Sequence, residues 1–114
     1  MDTDTNVGKY IDVEDALKRI GGNMGLYKRL LSRFLESDQY TPLEEALLKG
    51  DSEEAIHLAH TLKGVSANLS FTQVRTLSTE LEQHVKEGSD YASLLSELKV
   101  AYAATVEEIK RLMS

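Results

Sequence analysis

The chain alternates between signals that end a helix and signals that begin the next one, with very few residues between them. Three junctions pair glycine with a short polar residue: Gly21-Gly22 before Asn23, Gly50 before Asp51, and Gly88 before Asp90. Glycine readily adopts the left-handed backbone that ends a helix, and a short polar side chain caps the helix that follows. Because such short junctions place successive helices side by side, the pattern predicts antiparallel helices packed in chain order.

The segments between these junctions carry apolar residues at helical spacing. A short first stripe consists of Val13, Leu17 and Ile20, and longer stripes span 27–35, 74–85 and 94–112. Two further start signals, Thr41-Pro42-Leu43-Glu44 and Ser70-Phe71-Thr72-Gln73, place a hydroxyl residue three positions before an acid or amide. Ser70 is thus expected to end one helix and cap the next. The predicted fold is all-α, an antiparallel up-and-down four-helix bundle with a short additional N-terminal helix.

Length and composition limit the domain organisation. The chain has 114 residues, of which 41% are apolar, and this is enough for one modest core. Residues 1–10 lack helical periodicity and are expected to form a flexible lead-in or a linker, with one helical domain over 11–114. A single bundle buries its own apolar stripes, so a monomer is expected.

Charge and residue usage exclude several classes of function. Thirteen basic residues against nineteen acidic ones give a net charge of −6, which opposes binding to the phosphates of a nucleic acid. The absence of cysteine rules out disulfides, thiolate metal sites and a cysteine nucleophile. No apolar run is long enough to span a membrane and the N-terminus lacks a signal pattern, so the cytoplasm is the expected compartment.

The helix expected over Ser52–Leu69 has an unusual outer face. Its predicted core stripe is Leu58, Leu62, Val65 and Leu69, which cluster when residues are placed about 100° apart. His60 then lies near the opposite side. Its predicted neighbours there are an isoleucine, a cation and two small residues: Ile56, Lys63, Gly64 and Ala67. Ile56 falls outside the core stripe, so it is interpreted as part of a contact patch.

Gly64 is the informative residue of this face. Glycine in a helix interior costs about 1 kcal/mol relative to alanine, but it removes a side chain that would stand one turn from the imidazole. A large partner is therefore expected to approach His60 closely. Lys63 can reach a negative group carried on the imidazole, which makes His60 a candidate nucleophile for an anion, most plausibly phosphate.

The stretch His60-Thr61-Leu62-Lys63-Gly64, followed by Val65-Ser66-Ala67-Asn68-Leu69, closely resembles the signature of the histidine-containing phosphotransfer (HPt) domains of bacterial phosphorelays. The resemblance extends over nearly the whole chain, from Ile11 to Gln83. It implies that His60 accepts a phosphoryl group from a receiver aspartate of a response regulator and passes it to another receiver. The chain would be a covalent phosphocarrier without nucleotide binding or kinase activity.

The resemblance also implies roles for other residues. Lys63 would stabilise the phosphoryl oxygens, Gly64 would leave room for the receiver, and Glu82 would hydrogen-bond the ring nitrogen that is not phosphorylated. Ile56, His57 and Ala67 would contact the partner, which is a receiver domain of a response regulator or of a hybrid sensor histidine kinase. No cofactor is expected on this chain, because Mg²⁺ would be bound by the receiver. Similar domains usually have glycine at the position of Ser70, so a changed turn with an intact site is expected.

Three alternatives stay open at this point. The chain could be the phosphoacceptor domain of a chemotaxis-type histidine kinase, phosphorylated by a kinase domain in trans. It could also be a helical module that binds receivers without transferring phosphate. Finally, His57 and His60, with His84 or Glu82, could ligate a metal, but two histidines three apart are weak support and no metal is expected.

Overall fold

A computed structural model describes residues 10–114, which form six helices: α1 (Val13–Arg19), α2 (Met24–Leu35), α3 (Thr41–Leu48), α4 (Ser52–Leu69), α5 (Thr72–Glu87) and α6 (Ala92–Met113). Within this range there is no strand, and the predicted all-α bundle is confirmed. The four long helices are α2, α4, α5 and α6. Residues 1–9 lie outside the described part, so the predicted lead-in is not tested.

Several helix ends follow the local signals. The Asn23 side chain accepts a hydrogen bond from the backbone N–H of Leu26 at 2.9 Å and so caps α2. The Asp51 side chain accepts one from Glu54 N–H at 3.1 Å and caps α4. Gly88 ends α5 with a left-handed backbone, at φ 70°. These ends were predicted correctly because each depends on residues adjacent in the chain.

The start of α3 differs from the prediction. Thr41 is the first helical residue instead of the cap. Asp38 supplies the capping carboxylate, which accepts hydrogen bonds from the backbone N–H groups of Tyr40 and Thr41. Because Asp38 lies further upstream and accepts hydrogen bonds from the free N–H groups at the start of the helix, α3 begins one residue earlier than predicted.

Ser70 also departs from its predicted role. It ends α4 with a left-handed backbone at φ 60°, but it does not cap α5, whose N-cap is Phe71 without a capping side chain. The Ser70 hydroxyl instead donates to Oδ2 of Asp15 on α1 at 2.8 Å. The Ser70 hydroxyl therefore hydrogen-bonds to α1 and not to the first turn of α5, where the local pattern predicted a cap.

The segment before α1 holds this turn from the other side. Ile11 and Phe71 form an isolated antiparallel bridge, and both side chains are fully buried. Asp12 N–H donates to the carbonyl of Ser70 at 2.9 Å, and Thr72 N–H donates to the carbonyl of Tyr10 at 3.1 Å. The junction between α4 and α5 is thereby tied to the beginning of the domain.

The core lies between the long helices, with α4 packed against α3 and α5, and α5 packed against α6. An aromatic cluster joins α2, the N-cap residue of α5 and α6, because the Phe34 ring lies 4.9 Å from the ring of Phe71 and 5.6 Å from that of Tyr102. The Tyr27 hydroxyl donates to the carbonyl of Leu69 at 2.7 Å and joins α2 to the end of α4. Aromatic packing of this kind stabilises the interior beyond the area it buries.

The buried face of α4 is rotated from the predicted stripe. Its buried residues are Ala55, Ala59, Leu62, Ser66 and Leu69. Leu58 and Val65, which were assigned to the centre of the core, are half-buried. The prediction was right for Leu62 and Leu69 and wrong for Leu58 and Val65. It used the largest apolar side chains, whereas α4 is packed from two sides and presents small residues to its neighbours.

The expectation for Ile56 was also wrong. Its side chain is half-buried and packs against the core, whereas it was expected to lie outside the folded interior.

No helix formed by residues 10–114 is both long enough and apolar enough to cross a lipid bilayer.

Candidate functional site

His60 lies on the outer face of α4, where the side chain is 65% exposed. Its Nδ1 atom lies 3.3 Å from Oε2 of Glu82 on α5, and Nε2 has no hydrogen-bond partner among residues 10–114. An ionised carboxylate can accept a hydrogen bond and cannot donate one, so this contact favours the tautomer with hydrogen on Nδ1 when the ring is neutral. In that tautomer the exposed Nε2 carries the free lone pair of the ring.

Glu82 is the acid beneath this imidazole, and its side chain is only 7% exposed. Oε1 lies 3.0 Å from Nζ of Lys63, and Oε2 lies 3.1 Å from Nζ of Lys86. Burial raises the pKa of Glu82, but the hydrogen bonds and charges of the two lysines outweigh burial and hold the pKa below its ordinary value. The carboxylate is therefore ionised at neutral pH, although it is buried.

The Lys63 side chain points to the carboxylate of Glu82 in this structure. Its side chain is 31% exposed, and its ammonium pairs with Glu82 across the packed faces of α4 and α5. The expected role at the phosphoryl oxygens thus requires the ammonium to leave or to share this contact. Lys86 was missed by the sequence reasoning, although its place four residues after Glu82 on one helix is a spacing at which opposite charges pair.

Gly64 opens the face beside His60. A Cβ atom built at this position would meet no other atom within 4 Å, so internal packing does not require glycine here. Gly64 and Ala67 form the floor of a shallow groove between α4 and α5, whose walls include Lys63, Arg75 and Thr79. The glycine is explained better by access from outside than by any contact inside the domain.

The remaining predicted residues are placed as follows. His57 is exposed one turn before His60, Ala67 is half-buried in the groove, and Ile56 is half-buried beside the core. His84 lies near the end of α5, where its Nδ1 is 3.1 Å from the carbonyl oxygen of Asp90. Across the described range 10–114, no group of three or more His, Cys, Asp or Glu side chains is placed to hold a metal ion.

The fold and site define a helical-bundle protein in which an exposed histidine is paired with a buried, ionised carboxylate beside an open groove. The family model of the Hpt domain matches residues 29–112, and the chain therefore belongs to the Hpt domain family. Comparison with curated proteins gives no match, and comparison with solved structures gives none either.

Membership of the family establishes the general activity. Hpt domains carry out histidine phosphotransfer in the phosphorelays of two-component signal transduction, and they interact with receiver domains. They are phosphocarrier modules and not kinases. The match begins within α2, so α1 and the segment that ties it to Ser70 lie outside the matched range.

Proposed function

We propose that this chain accepts a phosphoryl group on Nε2 of His60 from the aspartyl phosphate of a receiver domain and passes it to a second receiver. The observation that carries this proposal is the pairing of an exposed imidazole with the buried carboxylate of Glu82 at 3.3 Å. That pairing leaves Nε2 as the reactive nitrogen. It also supplies a fixed negative charge behind the ring.

The charge of Glu82 matters because the ring becomes positive during transfer. Nε2 attacks phosphorus as the bond from phosphorus to the aspartate oxygen breaks, and the aspartate leaves with the electron pair. Since the ring keeps its Nδ1 proton, the product carries both an N–H and an N–P bond and is cationic. A carboxylate already in place stabilises that charge without reorganising. The same cationic ring is a good leaving group when a second receiver aspartate attacks phosphorus, so transfer is reversible.

The partner is expected to cover the groove beside Gly64. Ala67 lines this groove with Gly64. His57, which is exposed one turn before His60, and the exposed part of Ile56 would lie at the edge of the contact. The receiver would bring its own aspartate and Mg²⁺, and this chain would contribute a positioned nucleophile and no cofactor. Lys63 would add an ammonium to the phosphoryl oxygens once it turns from Glu82.

The test is to mix the wild type and His60→Gln with a phosphorylated receiver and Mg²⁺ and to follow acid-labile phosphate on each chain. His84→Gln is the matched control, because it removes a histidine outside the site. Label on the wild type and on His84→Gln, with none on His60→Gln, is the expected result. Label on His60→Gln would overturn the assignment of the phosphoacceptor.

Two other outcomes would contradict the proposed donor. Label delivered by a histidine kinase domain in trans, but by no receiver, would favour the chemotaxis-type alternative. Binding of receivers without label on the wild type would favour a module that docks without transfer.

A further inference from the structure

The two oxygens of Glu82 have different partners. Oε1 contacts Nζ of Lys63 at 3.0 Å. Oε2 contacts both Nζ of Lys86, at 3.1 Å, and Nδ1 of His60, at 3.3 Å. Lys86 is therefore the cation that holds the same oxygen that faces the imidazole, whereas Lys63 holds the other one.

The two lysines also differ in what they are attached to. Lys63 lies on α4, three residues after His60, so its ammonium is within reach of a group carried on the imidazole. Lys86 lies on α5 with Glu82, one turn further on, and its pairing with the carboxylate does not depend on α4. A movement of the Lys63 side chain would therefore leave the contact between Lys86 and Glu82 in place.

Charge balance gives a reason for two cations. One carboxylate facing two ammonium groups leaves this cluster with a charge of +1 before phosphate arrives. A phosphoryl group adds about two negative charges at neutral pH. If Lys63 turns to the phosphoryl oxygens, Lys86 still neutralises the buried carboxylate. Without Lys86, no ammonium would stay beside that carboxylate, and its charge would be unpaired until the ring becomes cationic, which is costly.

We propose that Lys86 is a positioning residue, which holds Oε2 of Glu82 against Nδ1 of His60 while Lys63 leaves Oε1 for the phosphoryl group. This inference rests on the proposed role of His60 as phosphoacceptor. Lys86 itself does not contact the reacting nitrogen. Its loss would act through Glu82, either by weakening the contact with Nδ1 or by keeping Lys63 on the carboxylate.

The experiment replaces Lys86 in the full chain and uses potassium phosphoramidate as the donor, so that no receiver is involved. Nε2 attacks phosphorus, the P–N bond of phosphoramidate breaks, and ammonia leaves. Lys86→Met removes the charge, and Lys86→Arg keeps it. Lys110→Met is the matched control, because Lys110 pairs with Glu107 at 3.6 Å on an exposed part of α6, away from the site.

The expected result is phosphorylation about tenfold slower in Lys86→Met than in the wild type, the order of one lost charge-assisted contact. Lys86→Arg should restore most of the rate, and Lys110→Met should match the wild type. The ring-nitrogen ¹⁵N shifts of the unphosphorylated His60 should also show a smaller share of the Nδ1–H tautomer in Lys86→Met. Because the Lys86 side chain is 50% exposed, the variant is expected to fold, as circular dichroism would check.

Equal rates and equal ¹⁵N shifts in Lys86→Met and Lys110→Met would overturn the inference. So would a loss that Lys86→Arg does not repair, because that would show a packing effect and not a charge effect. Failure of the proposed function looks different: the wild type would take no phosphate from receivers, while the ¹⁵N shifts of His60 would still respond to Lys86.

Discussion

Nδ1 of His60 lies 3.3 Å from Oε2 of Glu82, so a side chain that is 65% exposed rests on one that is 7% exposed. The exposed partner is free to meet another protein, and the buried partner is held in one place by two lysines. The imidazole is thus open to a partner on one side and is positioned by a buried carboxylate on the other.

Replacing Glu82 by glutamine should slow phosphotransfer. The amide is similar in size and keeps an oxygen that can accept the Nδ1 proton, but it cannot balance the positive charge that develops on the ring. We expect the rate to fall by about tenfold or more, as for the loss of an ionised group that orients a reactive histidine. The measurement is the rate of label transfer from a phosphorylated receiver, with Glu107→Gln on the exposed side of α6 as the control. An unchanged rate in Glu82→Gln would show that the charge has no part in transfer.

Replacing Gly64 by glutamine should separate transfer from stability. The site has open space for a side chain, and glycine is the poorer helix former by about 1 kcal/mol relative to alanine. Gly64→Gln and Gly64→Ala should therefore melt at or above the temperature of the wild type. Transfer from a receiver should fall by about a hundredfold in Gly64→Gln, which corresponds to roughly 2.7 kcal/mol of lost access. The steric account would be wrong if the glutamine variant melted normally and also transferred at the normal rate.

Replacing Ser70 tests the strain of the turn between α4 and α5. Ser70 has a φ of 60°, a conformation that costs a side-chain-bearing residue roughly 1–2 kcal/mol and costs glycine almost nothing. Ser70→Gly and Ser70→Ala both lose the hydroxyl that donates to Asp15, so their difference isolates the backbone. Unfolding in urea should show the glycine variant to be more stable than the alanine variant by about 1 kcal/mol. Equal stabilities would mean that the turn relaxes when the hydroxyl is removed.

Stability should fall in acid partly because of Glu82. Burial alone would raise the pKa of Glu82, but Lys63 and Lys86 lower it below its ordinary 4.5 in the folded chain. A carboxyl with a lower pKa in the folded state contributes stability above its unfolded pKa, and that contribution is lost as pH falls through the folded value. Unfolding in urea between pH 7 and pH 3 should therefore show a shallower loss in Glu82→Gln than in the wild type. Parallel pH profiles would show that the two lysines do not stabilise the folded carboxylate.

Much of the site could be anticipated because it lies on one helix. His60, Lys63 and Gly64 fall on one face of α4 through helical spacing alone, and this relation holds for any tertiary arrangement. The caps at Asn23 and Asp51 were likewise predicted, because each is completed by a backbone N–H three residues further on. Glu82 was assigned by its resemblance to related domains, and no spacing within the chain indicated its burial.

The sequence by itself determined the helices, most of their ends and the order of residues on the face of α4, because these depend on neighbours within a turn or two of the chain. Tertiary structure alone decided which side of α4 is buried, from which hydroxyl Asp15 accepts a hydrogen bond, and that Glu82 meets Lys63 of α4. The physical reason is that each of these relations joins helices whose separation depends on packing. Burial and ion pairing are decided by the distance between elements, and local pattern carries no information on that distance.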